Sequence, residues 1–294
     1  MILVTGSSGK TGRSVLQALA KRDVQVRALI HRADQEISIR SLGAQEVICG
    51  DMRSPQVMQQ AVEGVHAIYH IPPNMHPEEV AIGQQIIEAA LAAKVSHFVY
   101  HSVLKPQVEA MPHHWNKMRV EEILIASQLP YTILQPAAYM QNILANWDSI
   151  LEKGEYPVPY PASTRLSLVD LVDVALAASI VLTETGHHFA IYELAGTNGI
   201  SQTRVATILS EELQRQVQVC SIPVNEWEKQ ARASGLGSYQ VETLVKMFRY
   251  YQEYGFEGNP RVLTWLLGRP PRSIQDFIQT RQQSKHLSDR ITVT

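Results

Sequence analysis

The sequence predicts an α/β protein built on a doubly wound parallel sheet, with a smaller mixed α/β lobe toward the C-terminus. Two observations carry that reading. The chain opens on an apolar run, residues 1–4, followed by glycines at Gly6, Gly9 and Gly12 and a helical stripe at Val15, Leu16 and Leu19. Short apolar runs then alternate with helical patterns as far as residue 135, and β-α units repeated without a break require a parallel sheet with right-handed crossovers.

A strand, a glycine turn and a helix start together aim backbone N–H groups and a helix N-terminus at a pyrophosphate. Glycine takes positive φ and carries no Cβ to hold phosphates away. The turn residues Gly6, Ser8, Gly9, Lys10, Thr11 and Gly12 are therefore read as dinucleotide-binding, although the spacing is G-x-x-G-x-x-G and not G-x-G-x-x-G. Residues 24–30 form the second strand, and His31 and Arg32 follow where it ends. An acidic residue there would bind the ribose 2′-hydroxyl of NAD, whereas a basic one accommodates a 2′-phosphate. With Lys10 and Arg13 nearby and no carboxylate until Asp34, NADP(H) is expected over NAD(H), against the plainer alternative of solvated surface charges.

The pattern continues in order. A helix over 35–42 is closed by Gly43, and a third strand over 44–49 leads to Gly50, Asp51 and Met52 at the strand's C-terminal end, where open α/β sheets bind ligands. Helix 55–62 and strand 66–71 follow, and Pro72, Pro73 and Asn74 stop the strand. A helix over 77–94 precedes a fifth strand, 97–100, which ends in His101 and Ser102. The next helix, 113–127, carries His113 and Lys117 four apart on one face, and a sixth strand, 130–134, runs into Gln135, Pro136 and, after two alanines, Tyr139. Beyond about residue 150 the repeat breaks down into a proline-punctuated loop at 156–161, helix 169–182, strand 189–195, helix 202–214, strand 217–222 and a mostly helical remainder over 225–279. The division expected is a dinucleotide-binding domain over 1–152 and a lobe over 153–294 lying on the carboxyl edge of the sheet, some of whose elements could join the sheet.

With 294 residues, 45% hydrophobic and 18% charged, the composition is that of an ordinary soluble protein, and no stretch approaches the roughly 20 apolar residues of a membrane span. The N-terminus enters a strand without the sections of a signal peptide, so a cytoplasmic location is expected. A net charge of −2 gives no basic footprint for nucleic acid. Cys49 and Cys220 make neither a disulfide framework nor a zinc spacing, the His187–His188 pair matches no metal motif, and no metal site is expected. The helices over 77–94 and 113–127 could build either an intramolecular face or a homodimer bundle. Tyr250, Tyr251 and Tyr254 are read first as packing and second as pocket lining.

The chain resembles the NmrA-like branch of the atypical short-chain dehydrogenases and reductases. The resemblance rests on Val4-Thr5-Gly6-x-x-Gly9-x-x-Gly12, on Gly50-Asp51, on Leu129-Pro130-Tyr131-Thr132-Ile133-Leu134-x-Pro136 and on Leu267-Gly268-Arg269-Pro270-Pro271-x-Ser273. It implies a Rossmann-type fold, with Asp51 at the adenine, the Pro72-Pro73-Asn74 region and Ile71 before it along the cofactor, and Pro136 and Tyr139 near the nicotinamide. It also implies a catalytic set of Ser102, Lys117 and, where active short-chain dehydrogenases carry the tyrosine of Y-x-x-x-K, His113.

That last position is a departure. A cation lowers a phenol's pKa from about 10 toward neutrality, which suits acid catalysis, but it depresses an imidazole already near 6.5 and leaves it a poorer proton donor. Ketone reduction of the usual kind is not expected, and a sugar-nucleotide epimerase is disfavoured for the same reason. Lys117 is expected to hold the ribose, while Ser102 reads equally as a substrate contact or as a hydroxyl bonded locally to backbone. Two functions of different class stay open. One is an NADPH-dependent reductase passing hydride to a small acceptor such as a quinone, dye or conjugated carbonyl; the other is an NADP(H) sensor without turnover that acts through a regulatory protein partner.

Overall fold

The computed structural model describes residues 1–291, with side chains to residue 283. It divides into two compact units, one made of Met1–Pro136 and Val174–Leu194, the other of Ala137–Asp173 and the chain from Ala195 onward. In chain order the first unit supplies β1 (Ile2–Val4), α1 (Lys10–Leu19), β2 (Val26–Ile30), α2 (Glu36–Arg40), β3 (Glu46–Cys49), α3 (Pro55–Val62), β4 (Ala67–His70), α4 (Glu79–Ala92), β5 (His97–His101), α5 (Pro112–Ala126) and β6 (Tyr131–Pro136). There follow β7 (Ala138–Tyr139), α6 (Trp147–Lys153), β8 (Glu155–Val158), β9 (Arg165–Leu166), β10 (Leu168–Val169), α7 (Leu171–Thr183) and β11 (Ala190–Leu194). The rest comprises β12 (Ile200–Ser201), α8 (Gln202–Leu213), β13 (Gln218–Ser221), α9 (Val224–Ala233), α10 (Ser238–Tyr254), α11 (Arg261–Leu267) and α12 (Ile274–Ile291).

Seven strands form one sheet in the order β11-β6-β5-β4-β1-β2-β3, and every neighbouring pair is parallel. Strand β1 sits between β2 and β4, so the winding reverses direction at its C-terminal end. All three of its residues are fully buried, as expected for a strand covered on both faces, which reads in sequence as an unbroken apolar run. One face of the sheet, carrying Leu3, Ile68, Phe98, Tyr100 and Ile133, packs against Met58 of α3, Ile86 of α4, and Val120 and Leu124 of α5. Local signals set the helix starts. The Ser54 hydroxyl accepts from Val57 N at the head of α3, and prolines occupy the first positions of α3 and α5, where a missing N–H costs no intrahelical bond.

Three points of the layout refine the sequence reading. Strand β11 is one of the C-terminal elements that could join the sheet, and it extends the main sheet by pairing with β6 from Ala190↔Thr132 to Leu194↔Pro136. The division read after residue 152 falls inside the second unit, because the chain leaves the first unit at Pro136 and returns to it at Val174. The stretch 156–161, expected to be loop, begins as β8, which pairs with β13 and sets Pro157 opposite Cys220. Proline is tolerated there because a two-stranded ribbon leaves one edge of each strand unpaired.

In the second unit, the Arg269-Pro270-Pro271 motif is a clamp. Asp173, fully buried, accepts from Arg269 Nη2 through Oδ1 and from the backbone N–H of Arg272 through Oδ2, each at 2.6 Å. Asp170, also buried, accepts from Arg272 Nε at 2.8 Å and Gln141 Nε2 at 2.7 Å, while the same carboxylate caps α7 at Val172 N. Removing one carboxylate would leave a buried N–H and a guanidinium unpaired. Asp173→Ala is therefore expected to cost about 2–3 kcal/mol in urea unfolding, and a change within about 0.5 kcal/mol would contradict the clamp.

Candidate cofactor and active site

The turn after β1 is shaped by two glycines. Gly6 has φ +59°, and a Cβ placed on it would lie 3.0 Å from Ile71 O; a Cβ on Gly12 would lie 2.4 Å from Gly6 O and 2.6 Å from Ser7 Cα. The first turn of α1 is thus seated directly on the end of β1, where any side chain would push it away. Within the turn, Gly9 N donates to Gly6 O at 3.1 Å and the Ser7 hydroxyl to Val4 O at 2.6 Å. No side chain caps α1 at Gly9, which leaves its N-terminus to an external acceptor. Ser8, Lys10 and Thr11 complete the turn. Thr5 ties it to β4: its hydroxyl oxygen accepts from Ile71 N at 2.9 Å and lies 2.9 Å from His70 Nδ1. This close-packed glycine turn, at the topological switch point, fits a dinucleotide pyrophosphate.

Apart from His113 and Lys117 on α5, the remaining first-unit candidates lie at or just after strand ends. His31 and Arg32 follow β2 and are exposed, and Arg32 makes a two-pronged pair with Asp34, Nη2 to Oδ2 at 2.9 Å. Asp51 and Met52 follow β3. Arg53, which the sequence reading passed over, donates to the Asp51 carboxylate from Nη2 at 2.6 Å and from its own backbone at 2.9 Å, and holds that carboxyl down to about 2. Ile71, Pro72 and Pro73 follow β4, Ser102 follows β5, and Pro136 closes β6. Tyr139 lies in β7, in the second unit. There too, Tyr251 stacks on Phe256 and Tyr250 meets Tyr254, so the tyrosine cluster makes packing contacts.

Two of the three catalytic candidates, Lys117 and Ser102, bond into buried polar groups that local pattern did not disclose. Lys117 Nζ donates to Glu79 Oε1 at 2.8 Å, with the glutamate side chain 1% and the lysine 14% exposed. The ammonium also lies 5.8 Å from the ring centroid of Tyr100, which stacks on His70. Tyr100 thus sets a phenol beside this lysine, yet burial, helped by the Glu79 and Glu121 carboxylates, pushes its pKa well up, the reverse of an activated proton donor. His113 is buried, its Nδ1 has no hydrogen-bond partner among the described residues, and its pKa is pushed down to about 2. Burial is the largest cause there, ahead of His114 and Lys117, whereas the sequence reading rested on Lys117 alone. The Ser102 hydroxyl donates to the Glu121 carboxylate, which also receives Gln135 Nε2 at 3.0 and 3.1 Å. Glu121, four residues beyond Lys117 on the same helical face, was open to discovery from spacing. Glu79 and Gln135 reach the network only through the fold.

Buried histidines make the first unit acid-sensitive. Burial depresses His70 and His101 to about 3, His97 and His114 to about 4, and His113 to about 2. In the unfolded chain each returns to about 6.5, so below that pH the unfolded state binds more protons and stability falls as pH falls. Thermal unfolding is expected to shift to lower temperature between about pH 7 and about pH 5; an unchanged Tm across that interval would contradict the burial of these rings in neutral form.

Strand order, switch-point turn and open helix N-terminus define a Rossmann-type dinucleotide-binding protein. The chain belongs to the NmrA-like family, whose profile matches residues 1–283. It is 27% identical over 282 residues to the NAD(P)H azoreductase of Xenophilus azovorans, covering 94% of this chain and 96% of that one. Among solved structures, the NADPH-dependent quinone oxidoreductase of Escherichia coli in complex with NADPH superposes with a TM-score of 0.84 at 23% identity, over 95% of this chain and 99% of the other. The triphenylmethane reductase of Citrobacter sp. in complex with NADP(H) gives the same TM-score, identity and coverage. Among the described residues no helix is long and apolar enough to cross a membrane.

Proposed function

We propose that the protein is an NADPH-dependent oxidoreductase that reduces a small acceptor of the quinone, dye or conjugated-carbonyl class. The observation that carries this reading is the near full-length similarity to an NAD(P)H azoreductase, on a chain that keeps the glycine cradle. Gly6, Ser8, Gly9, Lys10, Thr11 and Gly12 hold the pyrophosphate, Asp51 and Met52 border the adenine, and Ile71, Pro72 and Pro73 line the cofactor's course. His31 and Arg32 take the 2′-phosphate. Arg32 exchanges Asp34 for it readily, because an exposed ion pair contributes little. Lys117, oriented by Glu79, positions the ribose.

When bound, the nicotinamide supplies a hydride. What the protein adds is positioning and a water-poor wall, not a strong acid: His113 is neutral, Tyr100 is held protonated, and the charge of Lys117 is matched by Glu79. Acceptors whose reduction needs little acid assistance suit such a site better than simple ketones.

Purified protein is expected to oxidise NADPH in the presence of a quinone or an azo dye, with turnover reduced in Lys117→Ala. Tight NADPH binding without turnover across quinones, dyes and enones would replace this reading with that of a cofactor-responsive protein acting through a partner. Arg32→Asp is expected to weaken NADPH binding by about tenfold or more while leaving NADH nearly unchanged, and equal losses for both would overturn the phosphate assignment.

A further inference from the structure

Resting on that reductase reading, we propose that Glu121 is the proton reservoir of the site, holding a proton that it passes through the Ser102 hydroxyl to the acceptor as hydride arrives. Glu121 projects from α5 into the first unit and is 3% exposed. Its hydrogen-bond partners are both neutral: the Ser102 hydroxyl, just beyond β5, and the Gln135 amide of β6. A buried carboxylate without a bonded cation is costly, and holding a proton removes that cost. The cation on its own helix, Lys117, is hydrogen-bonded to Glu79 of α4 and still favours the charged form of Glu121, while Tyr100 of β5, which also faces it, is held neutral. Burial raises the pKa of Glu121, and the bonds from Ser102 and Gln135 together with the nearby charge of Lys117 offset part of the rise.

The geometry gives the proton a direction. With the proton on Oε1, Glu121 donates to Ser102 Oγ while Oε2 accepts from Gln135 Nε2 at 3.1 Å, so the amide bond to Oε2 serves both protonation states. Ser102, 2% exposed, is fixed by its backbone N–H to Leu134 O at 2.8 Å, and in the proposed relay its own hydroxyl proton leaves toward a bound acceptor. In the step, one atom of the acceptor would receive hydride, with its two electrons, from a bound reduced nicotinamide. The Ser102 O–H bond breaks as the acceptor heteroatom gains that proton, and the Glu121 proton restores the serine hydroxyl. Glu121 is left as a carboxylate held by Gln135 and is reprotonated from water as product leaves. Ser102 is thereby the catalytic residue and Glu121 a positioning and proton-storing residue behind it. This pair takes over the task for which His113 is unsuited.

Two measurements decide it, one of them independent of turnover. Infrared spectra of the cofactor-free protein near neutral pH are expected to show a protonated-carboxyl C=O band that disappears in Glu121→Gln, a variant that keeps both hydrogen bonds but cannot release a proton. In NADPH-dependent quinone reduction, whose need for acid assistance is small, Glu121→Gln is expected to lower kcat ~10-fold with little change in KM, and to remove the alkaline fall in kcat of the wild type. Ser102→Ala should lose a similar factor, and the double variant no more than either alone. Absence of the infrared difference, or a Glu121→Gln enzyme with wild-type kcat and pH profile, would overturn the proposal. A wild type that turns over no acceptor would overturn the reductase reading and the relay with it, and the infrared band would still show separately whether Glu121 stores a proton.

Discussion

The close seating of α1 on the end of β1 is the constraint on which the rest of the first unit depends. It demands a residue without a side chain at Gly12 and a left-handed backbone at Gly6, and both conditions exist because the chain must turn within a few residues of a fully buried strand. That turn fixes where the N-terminus of α1 points. Since every strand of the main sheet is parallel to β1, the candidate residues that follow β2, β3, β4 and β5 gather along the same edge. Thr5 adds a lateral tie, joining the start of the turn to His70 and Ile71 at the end of β4.

Behind that edge lies a group of buried polar side chains that stability alone would not select. Burying Lys117 and Glu79 removes two charges from water, and such a pair seldom contributes more than a well-packed apolar replacement. Among the described residues, Glu79 Oε2, His70 Nε2 and Tyr100 Oη have no hydrogen-bond partner that meets ordinary geometry, a concentration of incompletely satisfied atoms in one place. Local departures from the rules that stabilise a core are expected where a protein works. Here they coincide with the strand edge at which ligands bind in open α/β sheets.

Much of this was legible in the sequence because it is local. The apolar runs that became β1 to β6, the helix Pro55–Val62 with Ser54 before it, and the glycine turn each declare themselves within a dozen residues. What was not legible depends on partners distant in the chain. Strand β11 looks like any short strand until it meets β6, and Pro157 argues against a strand until β13 supplies an edge that needs nothing from its nitrogen. The site shows the same contrast. His113 and Lys117 share a helical face and could be paired on paper, and Glu121 continues that face, but Glu79 lies 38 residues from Lys117 and no spacing connects them. The resemblance of the 267–273 motif to a family pattern likewise gave no hint that its arginines hold Asp170 and Asp173.

The central claim is that the turn after β1 binds the pyrophosphate of a nicotinamide dinucleotide through backbone that only glycine at position 12 permits. Calorimetric titration of the purified protein and of Gly12→Val with NADPH tests it most directly. The account predicts saturable, one-to-one binding by the wild type and a loss of at least ~100-fold in affinity in a variant whose circular dichroism shows the fold retained. Equal affinity in the two proteins, or no binding by the wild type, would contradict it.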